Sequence, residues 1–415
     1  VTAVEQSRLD LAGEVPVLLV KVGGYPLGYG TLGAVRSLGR LGVPVYAMVE
    51  DRWTPTAMSR YLTRAFVRPT SGRESPEHVL AIVRDIGRAI GRRCIALPTD
   101  DEAAVLLAEH AADLAPTFLL PPVPAALPRR LADKGSMREL CGQFVPVPRG
   151  VAVRGTRMEA ARAARIIGYP LVLKNLEPFT RLYRPVVPHT TVVQDEHQLL
   201  ALCRADGNLS VLVEEYLPRE SSESWSTHLC CGPGGEPLAV FTGRKLRSYP
   251  PAEGSATRAC SVPNPELADL AARLCKQLGY SGVADLDWRL DRRDGRYKLV
   301  DFNPRTGAQF RLYETVHGVD VARALHLSLT GRAVPQGPQL ERYFAAGQLD
   351  LLSAATATWQ DRHVPSDLRP RRSTERAWLC RDDVVPAAAM AVRFGGQAIR
   401  RLAGLARRPL TGARG

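Results

Sequence analysis

Two strand-like segments separated by a short polar turn constrain this chain most: Gly282-Val-Ala-Asp-Leu-Asp-Trp288 and Tyr297-Lys-Leu-Val-Asp-Phe-Asn-Pro-Arg305. Arg293-Asp294-Gly295 carries turn chemistry between them, so the pair reads as an antiparallel hairpin. Centring the turn on Asp294 sets Asp287 opposite Asp301 and Asp285 opposite Asn303. Side chains alternate along a strand, so all four point to one face. Val283, Leu286, Leu299, Val300 and Phe302 make the hairpin part of a core as well. Crowded carboxylates repel and raise one another's pKa unless a cation lies between them, and hard oxygen ligands suit Mg²⁺ held jointly with phosphates. The alternative is a solvent-facing polar strand face. Against it stands Asn303-Pro304-Arg305, where an amide, a rigid kink and a guanidinium follow Asp301 directly.

Lysine usage gives a second constraint. Of 55 basic residues only six are lysine, at positions 21, 134, 174, 245, 276 and 298, so Arg serves wherever a generic surface cation suffices. The ammonium is a compact point charge that packs against phosphate oxygens, whereas the guanidinium is broad and planar. Lys134, Lys174 and Lys245 are therefore candidate phosphate contacts. Lys276 falls in an amphipathic helix and Lys298 on the hairpin's other face, where chance retention explains them.

A length of 415 residues implies two or three domains with ample apolar content for cores. No run of about 18 apolar residues predicts a membrane span. Val1–Glu14 lacks the basic-then-apolar order of a secretory signal. The eight cysteines show no C-x-x-C or paired metal-ligand spacing, which predicts reduced thiols in a cytoplasmic protein. The net charge of +13 admits nucleic acid, membrane or an anionic substrate as partner. Zinc-finger spacing, an RNA-binding aromatic signature and a Lys/Arg run in the body are all missing, which argues against nucleic acid. Six arginines and no acid between Pro386 and Gly415 give a basic, helix-like tail suited to an anionic membrane, to the body, or to a second subunit in a homodimer.

Residues 15–122 alternate apolar strands with helical segments, a βαβ rhythm that predicts a parallel sheet. Gly28-Tyr-Gly30-Thr-Leu-Gly33 matches G-x-G-x-x-G in letters but starts late after the first strand, and Glu50 and Asp51 stand where a ribose-binding acid would. A dinucleotide site and loop glycines needed for close backbone approach both remain open. Pro121, Pro122, Pro124 and Pro128 mark a boundary, after which 123–218 reads as a small α+β unit and 219–335 as a larger one ending in the acidic hairpin. Residues 336–415 form an extension, irregular over 336–385. The fold class is α/β followed by α+β.

A strand-ending lysine, a double-glutamate segment, a cationic strand and a hairpin closing in Asp-Phe-Asn-Pro-Arg occur in that order, and together they resemble the ATP-grasp superfamily. The resemblance covers about 15–335, including a pre-ATP-grasp domain, and is greatest to carboxylate–amine ligases of the D-aspartate ligase kind. It implies two α+β subdomains clamping ATP. Lys134 and Lys174 match its nucleotide-phosphate lysines, and Glu214, Glu215, Tyr216 and Leu217 its adenine-lining segment. Glu223 falls at the ribose acid, although Arg219-Glu-Ser-Ser lacks the usual glycine. Asp287, Asp301 and Asn303 match the Mg²⁺ ligands, with Mn²⁺ as a substitute and Asp where Glu is common. Arg305 matches the residue steadying phosphoryl or carboxylate, and Lys245 one near the phosphates or acyl phosphate. The segment after Lys174 has no glycine cluster, so Arg181 and Arg184 are alternative anion contacts.

The implied chemistry is an ADP-forming ligation: a carboxylate attacks the γ-phosphorus, and an amine displaces phosphate from the acyl phosphate. His189, His228 and His317 are possible proton acceptors. Ligation to the thiol of an acidic carrier protein, or a silent nucleotide-binding module, are the alternatives. Specificity is expected from Gly23–Thr31, Asp51–Arg60, Thr306–Tyr313 and 336–385, with Arg311 binding a carboxylate and Tyr313 an apolar group.

Overall fold

The computed structural model describes residues 9–188, 190–203, 208–250, 254–361 and 373–406, with side chains described up to 356 and 396 in the last two segments. Three sheets organise them. The first is parallel, in the order β3-β2-β1-β4-β5, from β1 (Val17–Val20), β2 (Val45–Val49), β3 (Arg64–Val67), β4 (Cys94–Pro98) and β5 (Phe118–Leu119). Its inner strands β1, β2 and β4 are continuous apolar runs because both faces are covered, whereas the edge strand β3 begins with Arg64 and is largely exposed. The helix Pro76–Ile90 illustrates how these covers are specified. Ser75 caps its first turn, Pro76 sits where no N–H is needed, and Gly91 ends it at φ 75°. Val79, Leu80, Val83 and Ile86 fall on its buried stripe.

The second sheet, ordered β6-β9-β7-β8, comprises β6 (Gly150–Gly155), β7 (Leu171–Asn175), β8 (Thr191–Val193) and β9 (Leu209–Glu215), and it has its own core against the helix Arg157–Ile167. The third sheet runs β14-β13-β10-β11-β12-β15-β16, from β10 (Ser222–Cys231), β11 (Pro237–Tyr249), β12 (Ser255–Ser261), β13 (Gly282–Asp291), β14 (Arg296–Asn303), β15 (Tyr343–Ala345) and β16 (Thr374–Arg376). Residues 336–385 are thus not irregular throughout. They supply the last two strands at one end of this sheet and the helix Gly347–Asp361. One core joins the first sheet to the third through the helix Val321–Leu329, with Trp378 packed into it.

At the first sheet the strand order reverses between β1 and β4, the position where such sheets open a ligand crevice. Asp100 ties its floor together: one carboxylate oxygen accepts the N–H groups of Val22 and Gly23 at 2.8 and 2.9 Å, the other caps Ala103. Glu50 takes the N–H of Tyr25 at 2.7 Å and the Lys21 ammonium at 3.2 Å. The groups a dinucleotide would need are already bonded to one another. Gly30 and Gly33 serve packing instead, because a Cβ would meet Ala308 Cα at 3.1 Å and Arg311 Cγ at 2.9 Å.

Arg311 and Tyr313 are core residues, not specificity groups. Arg311 is ion-paired to Asp320, and the fully buried Tyr313 bonds Ser226 at 2.8 Å. Among the described residues no helix is long and apolar enough to cross a membrane. The basic tail forms a helix over Val385–Ala406; Met390 packs on the core and Arg393 pairs with Asp51. The last nine residues and the side chains of Arg400 and Arg401 lie outside the described residues.

Candidate active site

The acidic hairpin has the expected pairing at its inner end: Asp285 faces Asn303 and Asp287 faces Asp301. It reaches this register by an unexpected route. The turn closes on Asp291 and Arg296, half a residue earlier than a turn centred on Asp294, and Val300 is left unpaired as a β-bulge that restores the offset. Two expectations fail as a result. The bulge reverses the alternation, so Lys298 shares the face of Asp301, where it bonds Asp291 at 2.7 Å and lies 3.6 Å from Glu215. Val300 is only half-buried and lines the cleft, and its carbonyl accepts from the Lys174 ammonium at 3.1 Å.

A continuous cleft runs between the second and third sheets. Its outer cavity, about 390 Å³, is walled by Lys174, Glu214, Glu215, Tyr216 and Leu217 on one side and Glu223, Lys245, Asp287 and Asp301 on the other. An inner cavity of about 280 Å³ shares Lys174, Lys245, Asp287 and Asp301 with it and adds Lys134, Asn303 and Arg305. All twelve candidate residues therefore line one cleft.

Local structure aims each side chain. Asp133 caps the helix Lys134–Cys141 through the Ser136 N–H at 2.7 Å and is itself held by Arg154 at 2.7 Å. That fixes Lys134 at the first helical position, where its ammonium pairs with Asp301. Lys174, near the end of β7, bonds Glu214 at 2.7 Å. Lys245, on β11, pairs with Asp287. Asn303 donates to the Asp285 carbonyl at 3.0 Å. Arg305 donates to the Asp285 carboxylate at 3.0 Å and lies 3.4 Å from Asp101. Glu223 accepts from Arg292 at 2.6 Å and Trp225 at 3.2 Å, with Arg244 at 3.3 Å.

The electrostatics follow from this pairing. Burial, with Asp285 and Asp301 beside it, pushes the Asp287 carboxyl up against the pull of Lys245. For Asp301 burial also acts upward, but Lys134, Lys174 and Arg305 outweigh it and hold the carboxyl below its usual range. Each phosphate-candidate lysine thus pairs with a carboxylate on another element: Lys134 from its helix with Asp301, Lys174 and Lys245 with Glu214 and Asp287 on strands of their own sheets. The donor set Asp287, Asp301 and Asn303 is made of hard oxygens, which fits Mg²⁺. Among the described residues no cluster of three or more His, Cys, Asp or Glu side chains converges as a metal site, so the amide is needed to complete this set.

The histidines fare differently. His228 is fully buried 3.2 Å from Asp285 and stacked on Tyr313, and burial pulls its pKa down to about 4, so it is neutral. His317 is exposed and lines none of these cavities, and His189 lies outside the described residues. The segment after Lys174 forms the helix Pro178–Tyr183; Arg181 turns inward to Glu102 at 2.5 Å, while Arg184 is exposed on Tyr183. Missed in the sequence was the acidic run Asp100-Asp101-Glu102. Its position just after the apolar strand β4, at the sheet's reversal, was the available signal.

The architecture is that of the ATP-grasp fold. N5-carboxyaminoimidazole synthetase from Staphylococcus aureus matches with a TM-score of 0.58 at 12% identity, over 89% of this chain and 92% of that one. The biotin carboxylase domain of the Hydrogenobacter thermophilus 2-oxoglutarate carboxylase, a dimer in complex with MgADP, ADP and bicarbonate, matches with 0.56 at 17% identity, over 78% and 71%. In sequence, the chain is similar to D-aspartate ligase of Enterococcus faecium (strain Aus0004), 21% identical over 320 residues that cover 73% of this chain and 74% of the relative. No protein-family model matches.

Proposed function

We propose that this chain is an ATP-dependent, ADP-forming carboxylate–amine ligase that works through an acyl phosphate. The observation that carries the reading is the cleft itself: three of the chain's six lysines converge with Asp287, Asp301, Asn303 and Arg305. The likeness to D-aspartate ligase, and to synthetase and carboxylase structures solved with ADP, supports it. Residues 123–218 and 219–335 act as the two subdomains that clamp the nucleotide, behind a pre-ATP-grasp domain over 15–122.

In this reading Glu214–Leu217 line the adenine end, and Glu223, braced by Arg244 and Arg292, faces the ribose. Lys134, Lys174 and Lys245 exchange their carboxylate partners for phosphate oxygens, which frees Asp287 and Asp301, with Asn303, to hold Mg²⁺. The ion, when bound, neutralises phosphate charge. Arg305 orients the substrate carboxylate for attack on the γ-phosphorus. The chain contributes positioning and charge stabilisation, so no nucleophilic Ser or Cys is required.

The test is ATP turnover with Mg²⁺ against pools of amino acids and small carboxylic acids, reading ADP, AMP and product mass together. ADP with a product combining acid and amine supports the proposal. AMP, or a product lacking nitrogen from the amine, overturns it.

A further inference from the structure

Beyond Arg305 the cleft opens into a third cavity of about 470 Å³, between the loop after β1 and the segment after the acidic hairpin. It meets the inner cavity at Asp101, Arg181, Ser255, Arg305 and Ala308, which line both. Tyr25, Pro26, Leu27 and Tyr29 give it an apolar wall. Most charges around it are matched: Lys21 with Glu50, Arg181 with Glu102, and Asp100 with three backbone N–H groups.

Of the two carboxylates that line the cavity, Asp101 is the one not fully bonded, while Glu102 Oε2 and Arg181 Nε also lack a hydrogen bond among the described residues. The Asp101 Oδ1 is buried and has no hydrogen bond among the described residues, and the nearest cation, Arg305 Nε at 3.4 Å, is shared with Asp285, which Arg305 does bond. A buried carboxylate oxygen without a donor is costly, and a ligand N–H would satisfy it.

We infer that this cavity takes the attacking amine, a primary ammonium with an apolar body, and that Asp101 receives its proton. The inference rests on the ligase reading above. The R–NH₃⁺ group gives one proton to the Asp101 carboxylate. The freed nitrogen lone pair forms the C–N bond at the acyl carbon. The C–O bond to phosphate breaks with its electron pair on oxygen, and the second nitrogen proton leaves with the phosphate. Asp101 then returns its proton to water. An anionic second substrate would meet Asp101 with like charge, so the site selects against it.

The test compares two nucleophiles on the full chain with ATP, Mg²⁺ and the accepted acid. Hydroxylamine is small and uncharged at neutral pH, and it intercepts an acyl phosphate as a hydroxamate. The amines are glycine, L-lysine, cadaverine, phenethylamine and L-tyrosinamide. In Asp101→Asn, kcat/KM for the best amine is expected to fall about 100-fold relative to that for hydroxylamine, as for a lost general base, with partial recovery in Asp101→Glu. Thr31→Trp, which fills the cavity from another wall, should move the same ratio in the same direction and covers the case where Asp101→Asn does not fold. Equal losses with both nucleophiles overturn the inference, as does hydroxamate formation by a wild type that ligates none of the amines. If wild type forms neither ADP nor hydroxamate with any acid, the ligase reading itself fails.

Discussion

Replacing Asp301 by Asn separates the role of its charge from its role in folding, because the amide keeps the shape of the side chain. Four cations of the inner cavity, Lys134, Lys174, Lys245 and Arg305, are each paired with a carboxylate: Asp301, Glu214, Asp287 and Asp285. The substitution leaves one of these cations without its carboxylate. A unit charge about 4 Å from a bound cation is worth roughly 4 kcal/mol at an effective dielectric near 20. The Asp301 side chain is 27% exposed, and screening brings this to about 3 kcal/mol. That predicts a fall in Mg²⁺-dependent ADP release of about 100-fold. Metal-free ADP, an anion, should bind at least as tightly as to wild type. Steady-state ADP release and calorimetric titration of ADP with a chelator present measure the two quantities. Turnover within threefold of wild type at saturating Mg²⁺ would refute the assignment of Asp301 to the metal site.

Other consequences are open to measurement. His228 has a depressed folded pKa, about 4 against 6.5, so the unfolded chain binds the extra proton first; stability is intact above pH 6.5, and about 3 kcal/mol is lost as pH falls to 4. Denaturant titrations at several pH values should show this slope, and His228→Gln should flatten it. Asp350, buried in the C-terminal extension, bonds Arg247 at 2.9 Å and Arg258 at 3.1 Å. Asp350→Asn should cost about 3–5 kcal/mol, read as a lower denaturation midpoint, and unchanged stability would show that the extension does not brace β11 and β12. Asp133→Ala removes the cap of the Lys134 helix and should cost about 1 kcal/mol while weakening nucleotide binding, because the first-turn lysine loses its fixed position; stability loss with unaltered ADP affinity would detach the cap from the site.

What the sequence disclosed and what it hid differ in physical range. The facing of Asp287 with Asp301 was legible because alternation and turn chemistry act within a few residues. The Val300 bulge was not, since a β-branched apolar residue is equally suited to a regular strand, and the bulge has value only once the Lys174 ammonium arrives at its carbonyl from another sheet. Lys298 was misplaced for the same reason: one unpaired residue reverses every side chain before it. Scarcity of lysine singled out Lys134, Lys174 and Lys245, yet Lys21 is equally constrained, buried in a wall beside the third cavity. Arg311 looked like a ligand-binding cation because its partner Asp320 lies on an element that only tertiary packing brings near. The strands β15 and β16 have three residues each, too few for a period of two to register. Asp101 combines both limits. Its acidity was visible, but a carboxylate oxygen is informative only when it is known to be buried without a donor, and that depends on Arg305 stopping 3.4 Å short while it bonds Asp285. A residue of this kind is identified by a contact it lacks, and patterns in a sequence report only contacts that are made.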